Sequence, residues 1–316
     1  MAIIAVDLMS STVTCAALGK TGKILEQDKF DLQNLEGTAV SLLIQNQIKK
    51  LLNKFENTPM RIKSVGIAVP GIYYSKTGTV WAPNIPGWDN YHLKQDLSKF
   101  TEQNIRVKIA SKRTCDILGE KWMGAARKTR NAIYFSVGSG IGAGVLIDGR
   151  ILHGFNDGVG AVGWLAIEKP FKEEFKSKGC LEYIASGKGI LNTVRENLLK
   201  NPHQSKLLSN KDIHTITIDD VFKAYSLKDG IAVKVINNCI EYWGIAVANL
   251  VSLFNPEIII FGGSLFGPAL QFLENIKLEA VKWAHPIFVE NVKFVKSELG
   301  PNAGLFGAGH LAAKKF

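Results

Sequence analysis

The chain has 316 residues, 46% hydrophobic and 21% charged, which permits a packed core and excludes global disorder. Lys and Arg number 38 against 28 Asp and Glu, a net charge of +10 spread as scattered lysines rather than gathered in a basic tail. That balance admits an anionic ligand and gives no nucleic-acid footprint.

At about 150 residues per domain, two domains are expected. The apolar start, Ile3 to Val6, is stopped by Asp7, so it does not read as a signal peptide. Val13 to Leu18 is a second strand-like run, Gly19-Lys20-Thr21-Gly22 a turn, and Lys23 to Phe30 a third strand. Apolar residues at Val40, Leu43, Ile44, Ile48 and Leu51 predict a helix over 38–52. Ser64 to Val69 returns as a buried strand and breaks at Pro70-Gly71.

Residues 131–152 repeat the opening pattern. Ala132 to Val137 is a strand, Gly138-Ser139-Gly140-Ile141-Gly142 a glycine-rich turn, Ala143 to Ile147 a second strand, and Arg150-Ile151-Leu152 the start of a third. Gly22-Lys23-Ile24-Leu25 and Gly149-Arg150-Ile151-Leu152 nearly coincide. Such a repeat predicts two related lobes. A charged insertion runs from Phe171 to Lys178, and 200–212 reads as a loop. Asp229 to Phe254 is a long helix closed by Asn255-Pro256. Glu257 to Phe261 is a buried strand running into Gly262-Gly263, and a small-residue helix extends from Ala303 to about Lys315.

The turn at 138–142 suits phosphate, because glycine amides approach an anion closely; a tight hairpin needs the same residues. Gly262-Gly263 follows a buried strand, where ligands commonly sit. Asp7, ending the first strand, suits a Mg²⁺ held through water or a turn cap. Gly158 to Gly163 matches GxGxxG but follows a loop, so the dinucleotide reading fails. Four separated cysteines, Cys15, Cys115, Cys180 and Cys239, match no disulfide framework or CxxC pair and point to a reduced, cytoplasmic protein. No apolar run reaches the about 18 residues of a membrane span.

In order along the chain, Gly66-Ile67-Ala68-Val69-Pro70-Gly71, Ala82-Pro83-Asn84-Ile85-Pro86-Gly87-Trp88, Leu118-Gly119-Glu120, Gly138 to Gly144 with Asp148-Gly149, Gly179-Cys180-Leu181-Glu182 with Ala185-Ser186-Gly187, and Asn255-Pro256-Glu257 to Gly263 resemble the motifs of the ROK family. That family holds sugar kinases and sugar-responsive repressors. The resemblance implies an α/β, two-lobed actin-like ATPase (ribonuclease-H-like) fold with a central cleft. It places one lobe at 1–111 plus 301–316 and the other at 112–300. It also implies ATP at Asp7, Ser10, Ser11, Gly138, Ser139, Gly140, Gly142, Gly262 and Gly263, with Mg²⁺ at Asp7. A sugar or sugar phosphate would meet positions Asn84, Ser111, Lys112, Trp164 and Glu182.

The departures bear on function. The family's Asn-Asp pair before LGE, whose Asp is the general base, reads Ser111-Lys112 here. A lysine is protonated at pH 7 and has the wrong charge for a base. Asp116 lies one turn on, on the same helix face, but a turn is about 5.4 Å, too far for an easy replacement of the base. The sugar-site Glu and the His shared with zinc are replaced by Ala161 and Trp164, and of the zinc cysteines only Cys180 remains, so no zinc is expected. Trp164 is expected to plug the pocket rather than stack on a sugar. In the opening loop Met9 and Ser10 replace phosphate-approaching glycines.

These features predict a divergent homologue with weak or no kinase activity that binds carbohydrate or nucleotide. The alternative is an active hexose or amino-sugar kinase with a rebuilt pocket. A narrower variant has Lys112 and Arg113 turning the site basic, for an anionic sugar. A DNA-binding repressor is not expected, since the first strand begins almost at residue 1. A homodimer is admitted, without a legible interface.

Overall fold

The computed structural model describes residues 2–102 and 104–314. The chain opens with β1 (Ala2–Leu8), β2 (Thr12–Gly19) and β3 (Ile24–Asp31), then α1 (Gly37–Phe55), β4 (Ile62–Val69), β5 (Ile72–Tyr74) and β6 (Thr79–Trp81). Two short helices, α2 (Leu93–Asp96) and α3 (Ser98–Glu102), precede β7 (Arg106–Ser111) and α4 (Lys112–Met123). The repeat follows as β8 (Ala132–Val137), β9 (Ile141–Ile147) and β10 (Arg150–Ile151). Next come α5 (Glu174–Lys178), α6 (Cys180–Ala185), α7 (Gly187–Lys200), α8 (Ile218–Ser226) and α9 (Gly230–Phe254). The chain closes with β11 (Ile258–Gly262), α10 (Leu273–Trp283), α11 (Pro286–Val289), β12 (Lys293–Lys296) and α12 (Ala303–Ala313). Lys315, the expected end of the last helix, lies outside the described residues.

One five-stranded sheet has the order β3-β2-β1-β4-β7 and another β10-β9-β8-β11-β12. In each, the expected strand-turn-strand unit supplies the first three strands. β1 is buried along its length, as a central strand must be, whereas β3 alternates between half-buried and exposed as an edge strand does. Helix α1 buries Val40, Ile44, Ile48 and Leu51, one apolar stripe at helical spacing. Helix α9 is capped by Asp229, which accepts from the Ala232 amide at 3.3 Å, and ends at Asn255 with φ 42°. A left-handed residue followed by proline stops a helix there.

The chain divides into two compact units, Met1–Arg130 with Gly144–Val159 and Ser297–Phe316, and Asn131–Ala143 with Gly160–Lys296. The first unit includes α4, which packs on α12 within it. Their backbones touch where a Cβ on Gly119 would strike the Ala303 carbonyl and one on Gly307 the Cys115 carbonyl. Only glycine permits that approach. The first unit buries Ile4, Val6, Leu8, Ile44, Ile67 and Trp88 on one side of its sheet, and Ile3, Ala5, Leu18, Ala308 and Ala312 on the other.

Candidate functional site

In the first unit, β1, β4 and β7 run parallel, with Asp7 beside Ala68, Ala68 beside Ala110 and Val69 beside Ser111. This register brings Asp7, the Pro70-Gly71 break, Ser111 and Lys112 to the carboxyl ends of three adjacent strands, where α/β sheets hold ligands. Lys112 begins α4. Its Nζ lies 2.7 Å from Asp116 Oδ1 and 3.5 Å from Asp7 Oδ2. Both carboxylates are buried, at 4% and 3% residual exposure for Asp7 and Asp116. Burial, and then the neighbouring Asp7 charge, raise the Asp116 pKa to about 6 against the pull of Lys112.

A lysine at the first position of a helix opposes the helix dipole, at a cost of about 0.3–1 kcal/mol. The two carboxylates offset that cost. Sequence spacing alone exposes the Lys112–Asp116 pair, four residues apart on a helix. The Asp7 partner, 105 residues away, is brought in by sheet register.

Ser111, expected as a substrate contact, is 4% exposed, and its Oγ accepts from the Tyr73 amide at 3.0 Å instead of capping α4. Its hydroxyl therefore anchors β5. Arg113 is half-buried and donates to three backbone carbonyls, Gly71 at 3.1 Å, Asp157 at 2.8 Å and Val159 at 2.8 Å. Burial lowers its pKa from the usual arginine value. The Asp157 carboxylate in turn accepts from the amide and hydroxyl of Ser75 at 2.9 and 2.8 Å. Arg113 thus straps segment 153–159 to the turn at Gly71, a role that sequence reading missed. The two cations of the narrower variant, Lys112 and Arg113, both have internal partners, the carboxylates of Asp7 and Asp116 and three backbone carbonyls respectively.

Asn84 is exposed in the loop after β6. Trp88, fully buried, fixes that loop by donating to the Gly37 carbonyl at 2.9 Å and stacking on Tyr91 at 4.6 Å. Ser10 and Ser11 are exposed in the turn between β1 and β2.

In the second unit, β8 and β11 are parallel neighbours, with Gly262 beside Ser136. Their carboxyl ends bring the 138–142 turn and Gly262-Gly263 together. A Cβ on Gly138 would lie 2.9 Å from Ser264 Oγ, and Gly263 has φ +90° with the Val137 carbonyl against its α-carbon. The turn closes on itself through Gly138 N–H to Gly140 O at 2.9 Å, and the Gly187 amide at the start of α7 donates to Gly138 O at 2.8 Å. Ser139 is exposed at its tip. Glu182, expected at the sugar, instead accepts from the Ile141 amide at 2.6 Å, so it buttresses this turn; burial raises its pKa, against the pull of that amide. Gly142 lies near Gly160, whose carbonyl accepts from Ala143 at 2.8 Å.

Trp164 is 43% exposed and packs against Gly179, so it lies on the surface as much as in a pocket. Cys180 is buried and forms no disulfide, and among the described residues no group of three or more His, Cys, Asp and Glu side chains is placed to hold a metal. Aromatic rings hold the segment in place. Phe175 lies edge-on to Phe171 at 6.2 Å and to Tyr183 at 5.6 Å, with Lys172 over Phe175 and Lys178 over Tyr183.

The Mg²⁺ implied at Asp7 meets a mixed environment. Asp7 Oδ1 is buried with no hydrogen-bond partner among the described residues, as a metal-facing oxygen would be. Its other oxygen faces the Lys112 ammonium at 3.5 Å. A dication there would sit beside a fixed positive charge, so the residues present do not fit Mg²⁺.

The ROK family model matches residues 3–315. The chain belongs to the ROK family. A glucokinase of Halalkalibacterium halodurans is 29% identical, over 99% of this chain and 95% of its own length. A xylose repressor of Caldicellulosiruptor bescii is 31% identical, over 96% of this chain and 76% of its own length. A ROK-family transcriptional regulator, described as a homolog of the E. coli MLC protein, superposes with TM-score 0.84 at 26% identity, covering 98% of this chain and 77% of that one. A ROK glucokinase from Streptomyces griseus, crystallised with glucose and AMPPNP, superposes with TM-score 0.79 at 22% identity, covering 99% of both chains. This ROK protein accordingly has the expected α/β, actin-like ATPase fold. Among the described residues, no helix is long and apolar enough to cross a membrane.

Proposed function

We propose that this protein is a ROK-family carbohydrate- or nucleotide-binding protein with weak or no phosphotransfer activity. One observation carries the reading. The position that the family resemblance gives to the general base holds Lys112, an ammonium fixed between Asp7 and Asp116. A cation so paired cannot accept the proton of a sugar hydroxyl, and loss of a general base costs about 10²–10⁴ in rate. The buttressing roles of Ser111 and Glu182 add support, since neither side chain is left to serve a sugar alone. Asn84 remains an exposed candidate contact. The paired glycine turns of the second unit suit a nucleotide.

A second reading, an active sugar kinase with a rebuilt pocket, draws on the glucokinase relatives and on Asp116. A carboxylate with a pKa of about 6 is well matched to general-base work at neutral pH. In this reading Asp116 would take the substrate proton once Lys112 swings aside.

The deciding experiment follows ADP release and phosphosugar formation from Mg-ATP with a panel of hexoses, pentoses and amino sugars. Wild type, Asp116→Asn and the double variant Lys112→Asp/Asp116→Asn are compared. The binding-protein reading expects no wild-type turnover. Turnover by wild type that Asp116→Asn abolishes would establish the second reading instead.

A further inference from the structure

We infer that Lys112 is a tethered cation that fills a metal site built by this chain, and that its ammonium excludes a divalent ion from Asp7. The inference stands apart from the question of turnover.

The carboxylate oxygens of Asp7 and Asp116 converge on one point. Lys112 Nζ lies 2.7 Å from Asp116 Oδ1 and 3.5 Å from Asp7 Oδ2. The Asp7 and Asp116 side chains are only 5% and 4% exposed, so water does not solvate them as it would a surface pair. Hard, anionic oxygens withdrawn from water are the donor set that Mg²⁺ and Mn²⁺ prefer.

Two further features accompany this ion pair. Asp7 Oδ1 is buried with no hydrogen-bond partner among the described residues. A buried, unsatisfied carboxylate oxygen is costly. It is what remains when a singly charged ammonium with fixed donor directions stands where a dication would draw on both oxygens. The second feature is Gly304, near the start of α12. A Cβ there would lie 2.5 Å from Lys112 Nζ and 2.7 Å from Asp7 Oδ2. The space that the ammonium occupies therefore exists because residue 304 has no side chain. A merely structural lysine explains the short bond to Asp116 and leaves the orphaned Asp7 oxygen unexplained.

The test is a Mn²⁺ titration of the whole protein without nucleotide, following free Mn²⁺ by electron paramagnetic resonance. Wild type, Lys112→Gln and Lys112→Gln/Asp7→Asn are compared, with Lys112→Met in parallel because it keeps the aliphatic stem. Wild type is expected to leave Mn²⁺ free. Lys112→Gln or Lys112→Met is expected to bind one ion per chain about tenfold more tightly or better, as relief of a fixed positive charge beside a dication predicts. Adding Asp7→Asn should abolish that binding. One ion bound by wild type and lost in Asp7→Asn overturns the inference, as does a folded neutral variant that binds no better than wild type. Should both neutral variants fail to fold, rescue of their melting transition by Mn²⁺ upholds it and absence of rescue overturns it. Sugar turnover by wild type would refute the proposed function and leave this result unaffected.

Discussion

Lys112 and Asp116 form a pair in which one partner is half-exposed and the other nearly sealed. Their electrostatics make a measurable claim on stability. The Asp116 carboxyl, raised from 3.8 to about 6, keeps its proton in the folded chain over a range where the unfolded chain has lost it. Its stabilising contribution is complete below pH 3.8 and declines as pH rises through about 6. Two pKa units correspond to about 3 kcal/mol. Urea unfolding at intervals between pH 4 and pH 7 should show Asp116→Asn losing less stability than wild type as pH rises across that window. Parallel curves for the two proteins would refute the assignment. At this scale, sequence reading located the residues but not the backbone groups they meet. Ser111, Arg113 and Glu182 were chosen for side-chain chemistry, yet their main partners are backbone groups of Tyr73, Gly71, Asp157, Val159 and Ile141. Which amide or carbonyl a polar side chain meets depends on tertiary register, and no local pattern encodes that.

Elements were far more legible, because period and turn chemistry act locally. The strand-turn-strand repeat emerged at 2–31 and 132–151, and α9 ended at Asn255-Pro256. The segment 164–183 is the instructive exception. That Cys180 alone is kept of the cysteines the family resemblance implies was readable, but not the packing that holds the segment. That falls to the Phe171–Phe175–Tyr183 chain. Phe175 is 6% exposed, so Phe175→Ala should lower unfolding stability by about 3 kcal/mol. EDTA should leave the melting temperature of wild type unchanged. A drop with EDTA that zinc restores would show that metal, not packing, holds the segment.

For the molecule as a whole, the proposed reading separates binding from turnover. A ligand at a hundredfold excess over its Kd stabilises the folded state by about 2.7 kcal/mol. A thermal-shift screen of sugars, sugar phosphates and nucleotides should therefore reveal at least one compound that raises the melting temperature without being consumed. A flat response across the panel would count against a binding function. The family and the fold were legible across nearly the whole chain, since six ordered motifs span it and the family model matches residues 3–315. Identity of the ligand was not, because most of the contact positions that the family resemblance implies have changed, Asn84 and Glu182 excepted.

The clearance at Gly304 and the ion pair beside it bear on the order in which this site can change over evolutionary time. An acidic residue restored at 112 while Asp116 is present would set three carboxylates around one buried point, with no ammonium among them. Repulsion and desolvation would then oppose the first step of any return. Position 116 must become neutral before position 112 can become acidic, and Asp116→Asn alone leaves Lys112 with the weaker of its two carboxylate contacts. Each single step is disfavoured until the other has been taken. Substitutions at these two positions, one helical turn apart and in direct contact, are therefore expected to be non-additive.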